Sequence, residues 1–292
     1  MHMVDQMYGG IEAGGTKFVC VVGRGPDEIE ERKRIDTTEP STTLGECLEF
    51  FSRHEPIRSL GIASFGPLEL RRSHPEYGHI TRTPKPGWSG ADLIGPFAER
   101  LGVPVAIDTD VNGAALAEVR WGAARDLRNA VYLTVGTGVG GGAVIDGRPI
   151  GGLVHPEMGH VSISRLPGDD FEGVCPFHGD CFEGMASGPA IEARWGRPAE
   201  EVEDTDRLVE IEAATIAAGL RQIVYILAPE RVVLGGGVSK LPGLHARVNA
   251  ALVEQMSDYA VMAGHRSDFV VPPGLGDDAG VAGALALAIA AT

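Results

Sequence analysis

Two glycine-rich turns, each set between apolar runs of strand length, constrain this chain more than any other feature. The first is Gly14-Gly15, between residues 8–13 and the run FVCVV at 18–22. The second is Gly136-Thr137-Gly138-Val139-Gly140-Gly141-Gly142, after the strand run Ala130–Val135 and before Ala143–Ile145, which the turn pair Asp146-Gly147 closes. Short runs rich in β-branched residues, bounded by turn residues, read as β-hairpins.

The segments downstream of the two hairpins come in a shared order. After the first come helical spacing over Thr42–His54, a strand over Ser59–Phe65, a helix over Ser89–Leu101 interrupted near Gly95-Pro96, a strand over Val103–Ile107 and a helix over Asn112–Trp121. After the second come a long amphipathic helix over Asp206–Ala228 ended by Pro229, a strand over Arg231–Leu234, a helix over Gly243–Met256 and an Ala-rich helix over Ala279–Ala291, capped by Asp277 or Asp278. The spacing predicts a duplicated α/β unit with its boundary near 113–122. One lobe is expected over residues 1–116 and a second over 117–277, with the last helix, about 278–292, packing back on the first.

Composition excludes several classes. A net charge of −15 repels phosphate backbones, so nucleic acid is not an expected partner. No apolar run is long enough for a membrane span, and the first ten residues lack a basic stretch followed by an apolar core; a cytoplasmic chain without membrane contact is expected. Cys20 and Cys47 lie in apolar patterns and read as core residues.

The glycine loops suggest anion binding. Residues 136, 138 and 141 fit G-x-G-x-x-G, but a dinucleotide fold requires a helix next, and here a strand comes instead. The partner turn, Glu12-Ala13-Gly14-Gly15-Thr16-Lys17, combines exposed N–H groups, a hydroxyl and a cation, and is not a P-loop. Two such hairpins facing each other could hold a triphosphate. A third run, Gly235-Gly236-Gly237-Val238-Ser239, ends a strand, where backbone could lie against an adenine ring. The alternative for each is a glycine turn with no ligand.

Asp110 stands between a strand and a helix, in Asp108-Thr109-Asp110-Val111-Asn112. Phosphoryl transfer to an alcohol needs a base there; the plainer alternative is that Asp110 or Asn112 only caps the helix. Further on, His160 precedes Cys175-Pro176-Phe177-His178-Gly179-Asp180-Cys181. Two thiolates and two imidazoles fit a four-coordinate structural Zn²⁺ at His160, Cys175, His178 and Cys181, with His155 as a spare ligand. A Cys175–Cys181 disulfide and a metal-free loop are the rivals.

Taken together, these segments resemble the ROK family of bacterial sugar kinases and repressors, in its fructokinase branch. The resemblance runs from about Gly10 to Ala284. It rests on Glu12–Lys17, Ser64-Phe65-Gly66-Pro67-Leu68, Asp108–Gly113, the run 136–142, His155-Pro156-Glu157-Met158-Gly159-His160, the Cys/His cluster ending in Cys181-Phe182-Glu183, and Gly235–Val238. It implies a two-lobed, actin-like ATPase fold of the ribonuclease H-like type, with the active-site cleft between the lobes. It implies Asp110 as the base, and Gly66, Pro67, Thr109, Glu157, His160 and Glu183 around the sugar. His160 would touch sugar with one side of its ring and zinc with the other. Gly14, Gly15, Thr16, Lys17, Thr137, Gly138, Pro189, Gly236 and Gly237 would hold ATP, with Mg²⁺ on its phosphates.

Three departures from the wider family point toward fructose: Glu12 where many members have Asp, Thr109 where glucose and amino-sugar kinases have Asn, and His178 in place of a third Cys. The resemblance also implies a homodimer. No DNA-binding segment stands before Gly10, so a kinase is expected rather than a repressor. A kinase for another hexose (mannose, glucose or an N-acetyl amino sugar) and a sugar sensor without transfer activity are the alternatives.

Overall fold

A computed structural model describes residues 6–54, 56–257, 259 and 268–292. The first hairpin pairs β1 (Met7–Ala13) with β2 (Lys17–Gly23), Ile11 opposite Cys20, so that Ile11, Ala13, Phe18 and Cys20 are buried. β3 (Ile29–Asp36) extends the sheet antiparallel beyond β2. α1 (Pro40–Phe51) leads to β4 (Ile57–Ser64), parallel to β1, and α2 (Gly95–Leu101) leads to β5 (Val105–Thr109), parallel to β4. The strand order is β3-β2-β1-β4-β5.

The chain leaves this sheet through α3 (Asp110–Arg120) and builds a second on the same plan. β6 (Ala130–Val135), β7 (Val139–Ile145) and β8 (Arg148–Pro149) form an antiparallel meander. α4 (Phe182–Ala186), α5 (Gly188–Trp195) and α6 (Thr205–Leu227) precede β9 (Arg231–Gly235), and α7 (Leu244–Met256) precedes β10 (Val270–Val271). The order is β8-β7-β6-β9-β10, with β9 parallel to β6. Each sheet thus has a three-stranded antiparallel meander followed by two parallel strands, the duplication expected from the order of the segments.

Two helices sit where the sheets meet. α3 and α8 (Ala279–Ala290) pack against each other, and α8 also lies on β1 and β4. Nine of the twelve α8 residues are buried, as expected of a helix apolar on every side. The approach depends on glycine: a Cβ at Gly283 would lie 2.5 Å from the carbonyl carbon of Gly113. α3 also touches the second sheet, because a Cβ at Gly142 of β7 would overlap the carbonyl of Val111.

The long helix α6 starts where its sequence says it should. The Asp204 side chain accepts from the Arg207 N–H at 3.0 Å, and Asp206 places negative charge in the first turn. It packs on α7 and α4 and buries Leu208, Ile216, Leu220 and Ile223 in the core shared with β6 and β9, each roughly 1.5–3 kcal/mol of transfer free energy.

Several expectations shift. The helix expected over Ser89–Leu101 begins only at Gly95, since Pro96 fits the first turn and Asp92 accepts from the N–H groups of Ile94 and Gly95, both at 2.9 Å. Only residues 136–138 turn; Gly140–Gly142 lie within β7. β3 carries no apolar alternation, being a charged edge strand with only Ile35 buried, so periodicity does not find it. Asp278 occupies the position before α8 without a capping bond; it pairs instead with Arg32 at 2.9 Å, and Asp277 pairs with Lys240 at 2.9 Å. Cys20 and Cys47 are buried, as expected.

Candidate active site

Asp110 sits where β5 ends and α3 begins, and the local sequence explains its aim. Thr109 is the true cap: its hydroxyl accepts from the Asn112 N–H at 3.2 Å. Asp110 is therefore free of that duty, with one oxygen accepting from the Val111 N–H at 2.9 Å. Asn112 is buried and ties the helix across to the second sheet. Its amide donates to Asp108 at 2.8 Å and to the Ile150 carbonyl at 3.0 Å, and its oxygen accepts from the Ala143 N–H at 3.2 Å. Neither Asp110 nor Asn112 is the cap.

Three cavities adjoin, two of them lined from both halves of the chain and the third from the second half alone. One, of about 590 Å³, is lined by Gly66, Pro67, Thr109, Asp110, residues 136–141, His155, Glu157, His160 and Glu183. A second, of about 500 Å³, shares Asp110, Val111 and Thr134 with it, and adds Glu12, Gly235–Gly237, Lys240 and the 272–280 segment. A third, of about 830 Å³, shares Gly237 and Lys240 with the second and Gly136 and Thr137 with the first, and adds Pro189 and Glu192. Volumes of this order suit small ligands.

The expected residues thus divide. Asp110 belongs to two cavities. Gly66, Pro67, Thr109, Glu157, His160 and Glu183 share the first with Thr137 and Gly138. Gly236 and Gly237 line the second, and Pro189 and Gly237 the third. The tip Gly14, Gly15, Thr16 and Lys17 lines none of the three. It is tied to the end of β3, with Thr37 donating to the Gly14 carbonyl at 2.8 Å and to the Thr16 carbonyl at 2.9 Å. Glu12, at the base of that hairpin, is the residue that reaches the cleft. Sequence pattern assigns Glu12 no role, although its place just before the glycines and its carboxylate were the available signal. Lys240 is likewise missed, since one cation after a glycine run carries no pattern.

Burial governs the electrostatics. Asp110 is exposed to water in the cleft, and crowding by the protein around it pushes its carboxyl up to about 6 by desolvation; the Glu157 charge adds to this, while the Val111 N–H and His155 oppose it. Glu12 is also raised, by burial first and in part by Asp110, against the pull of Lys17. Two carboxylates on one cavity favour a cation between them. Glu183 is partly spent: one oxygen accepts from the Val139 N–H at 2.9 Å, fastening α4 to the β6–β7 turn.

The Cys/His group assembles as its spacing suggests. One ligand atom each from His160, Cys175, His178 and Cys181 lies within 4.8 Å of the others. His160 Nδ1 stands 3.8 Å from Cys175 Sγ and 3.6 Å from Cys181 Sγ, and His178 Nδ1 3.8 Å from Cys175 Sγ. The loop between the cysteines is closed by Gly179 N–H to Cys175 carbonyl at 2.9 Å and the reverse bond at 3.1 Å, and Gly179 adopts φ +63° to permit it. Both cysteines are free thiols, so the disulfide alternative is not realised. Burial first, then Cys175, pushes the Cys181 thiol up to about 11, a strain that a bound divalent cation would reverse. His155 is not part of the group; its ring faces Leu68.

Comparison with known proteins agrees with this architecture. A fructokinase of Zymomonas mobilis is 48% identical, the match covering 98% of this chain and 97% of that one. A fructokinase of Pediococcus pentosaceus is 39% identical, with 98% of each chain covered. Among solved structures, the ROK hexokinase from Thermus thermophilus superposes with a TM-score of 0.80 and 28% identity, again over 98% of each chain. The fold is that of the actin-like ATPases. The ROK family profile spans residues 8–291, and with the two matched sheets, the shared cleft and these relatives, the chain belongs to the ROK family.

Proposed function

We propose that this chain transfers the terminal phosphoryl group of ATP to the 6-hydroxyl of fructose. The observation that carries the reading is the position of Asp110, whose carboxylate borders both the cavity of Glu157 and His160 and the cavity of the glycine loops. Full-length relatives named fructokinase, at 37–48% identity, select the sugar.

In this reading the sugar lies among Gly66, Pro67, Thr109, Glu157, His160 and Glu183. Asp110, ionised at neutral pH, orients the reacting hydroxyl and takes its proton as the O–P bond forms; the bond from the γ-phosphorus to the bridging oxygen breaks, and ADP leaves. N–H groups of Gly138 and neighbouring turn residues stabilise the transferring phosphoryl oxygens, helped by Gly14, Gly15, Thr16 and Lys17 when the lobes close. Thr137, Pro189, Gly236 and Gly237 hold the nucleotide. Glu12, with Asp110, suits a Mg²⁺ ion that accompanies the triphosphate; when bound it offsets charge on the phosphate oxygens. We place the two lobes at 1–116 and 117–277, with 278–292 packed on the first, and expect closure over bound sugar to exclude water.

His160, Cys175, His178 and Cys181 suit a structural zinc ion, the donor set being two thiols and two imidazole nitrogens within reach of one centre. With His160 Nδ1 turned to that centre, Nε2 is left for the sugar. The ion would hold the 175–181 loop and so fix His160 and, through α4, Glu183. A homodimer in the cytoplasm completes the proposal. Among the described residues, no helix is long and apolar enough to cross a membrane.

A panel of hexoses with ATP, ranked by kcat/KM in an ADP assay, tests the substrate. Fructose is expected first; another hexose ahead of it would overturn the fructose reading, and sugar binding without ADP formation would overturn the kinase.

A further inference from the structure

His155 has no task in the proposed reaction, yet it is buried at 7% exposure on the wall of the sugar-side cavity. Its ring joins the two sheets' lobes. The Leu68 N–H, in the turn after β4, donates to His155 Nε2 at 3.3 Å. A ring nitrogen that accepts from an N–H carries no proton, so in the neutral imidazole the proton is on Nδ1. Nδ1 lies 3.5 Å from Glu157 Oε1 and 3.4 Å from the Pro156 carbonyl. The same ring rests on Gly66, where a Cβ would come within 3.3 Å of Nε2. The Gly66–Leu68 turn belongs to the first sheet and Glu157 to the segment after β8, so one imidazole registers the two walls of the cavity against each other.

We infer that His155 is a positioning residue for the sugar: it pins the Gly66–Leu68 turn through Nε2 and orients the Glu157 carboxylate through Nδ1–H. This rests on the assignment of that cavity to the sugar. His155 lines neither the cavity of Gly235–Gly237 nor the Cys/His group, so its loss should raise the sugar KM and leave the KM for ATP and the metal content unchanged. A side chain that only filled space would act on stability and leave substrate constants alone. Gln can present an acceptor near the position of Nε2, whereas Leu keeps the volume and loses both polar contacts.

The test measures KM and kcat for the hexose that the wild type turns over best, together with KM for ATP and zinc content, in His155→Leu, His155→Gln and His155→Asn. Loss of the hydrogen bond from Leu68 together with the 3.5 Å contact to Glu157 predicts a sugar KM raised about tenfold in His155→Leu, with KM for ATP and metal content unchanged. His155→Gln should stay within about threefold of wild type, since it keeps the bond to Leu68. A His155→Leu protein with wild-type sugar KM, or with an equal rise for ATP, or with lost zinc, would overturn the inference. If the Leu variant does not fold, His155→Asn must show a higher sugar KM than His155→Gln, and the reverse order overturns it. A wild type that prefers another hexose sinks the fructose reading and leaves this comparison intact. If no hexose is phosphorylated, calorimetric Kd for sugar replaces KM with the same ordering.

Discussion

Lowering the pH is the most direct probe of Asp110. Its carboxyl is raised to about 6, chiefly by desolvation between the two lobes, while an ordinary aspartate titrates near 3.8. A base that must be ionised then loses activity in a window where other aspartates are silent. About nine-tenths of Asp110 is charged at pH 7, about half at pH 6 and about one-tenth at pH 5. The value of kcat/KM for the sugar, at saturating Mg-ATP with ADP measured by chromatography, should fall about tenfold from pH 7 to pH 5. An unshifted carboxyl would lose less than about a tenth over the same span. Asp110→Asn should drop kcat/KM by roughly 10²–10⁴ and flatten what remains of the profile. Stability gives a second reading with its own sign. The folded-state pKa lies above the ordinary one, so this group's favourable contribution is complete below about 3.8 and is lost as pH rises through about 6. Asp110→Asn should therefore melt above wild type at pH 8, with the gap about halved at pH 5 and closed below about 3.8. Cleft water screens the side chain, so the gap should be only about 1–2 °C. A wild-type profile flat to pH 4.5, or an acid limb that persists in Asp110→Asn, would refute the assignment.

Cys175→Ser or Cys181→Ser should lose about one zinc per chain by elemental analysis and make the 164–181 loop more open to proteolysis; native protein free of zinc would count against the cluster. Gly283→Ala puts a methyl group against the Gly113 backbone, and should cost about 1–3 kcal/mol in denaturant melts; an unchanged midpoint would mean that α3 and α8 can part freely. Glu118, buried on α3, accepts from the N–H groups of Ala123, Gly274 and Leu275 at 2.6, 3.0 and 3.1 Å, so Glu118→Ala leaves three donors unpaired next to the 272–280 segment that lines the cavity of Glu12 and Gly235–Gly237. It should destabilise by about 2–4 kcal/mol, and a loss below about 1 kcal/mol would show that water replaces it.

Local chemistry sufficed for some of this molecule. The two hairpins and the long helix after Asp204 arise from apolar period, turn residues and caps, and the C-terminal alanine-rich helix from its helix-favouring composition, all of which act over a few neighbours. The Cys/His spacing likewise needs only one loop to bring its ligands together. Asp110 could be read as a base or a cap, and the short-range pattern did not separate them, because the capping hydroxyl belongs to the preceding residue, Thr109. Other features lie beyond local reach. The charged edge strand β3 is a strand only because β2 offers it a ladder. Glu12 has a place in the cleft, and Lys17 does not line it, because packing of the sheets decides which end of the hairpin turns inward. His155, one more imidazole near a metal motif in the sequence, becomes a link between lobes only when Leu68, 87 positions earlier, is folded beside it. Sequence pattern determined the parts and their chemistry; tertiary structure decided which parts face each other, because contacts between distant segments are set by how two sheets and the helices between them pack.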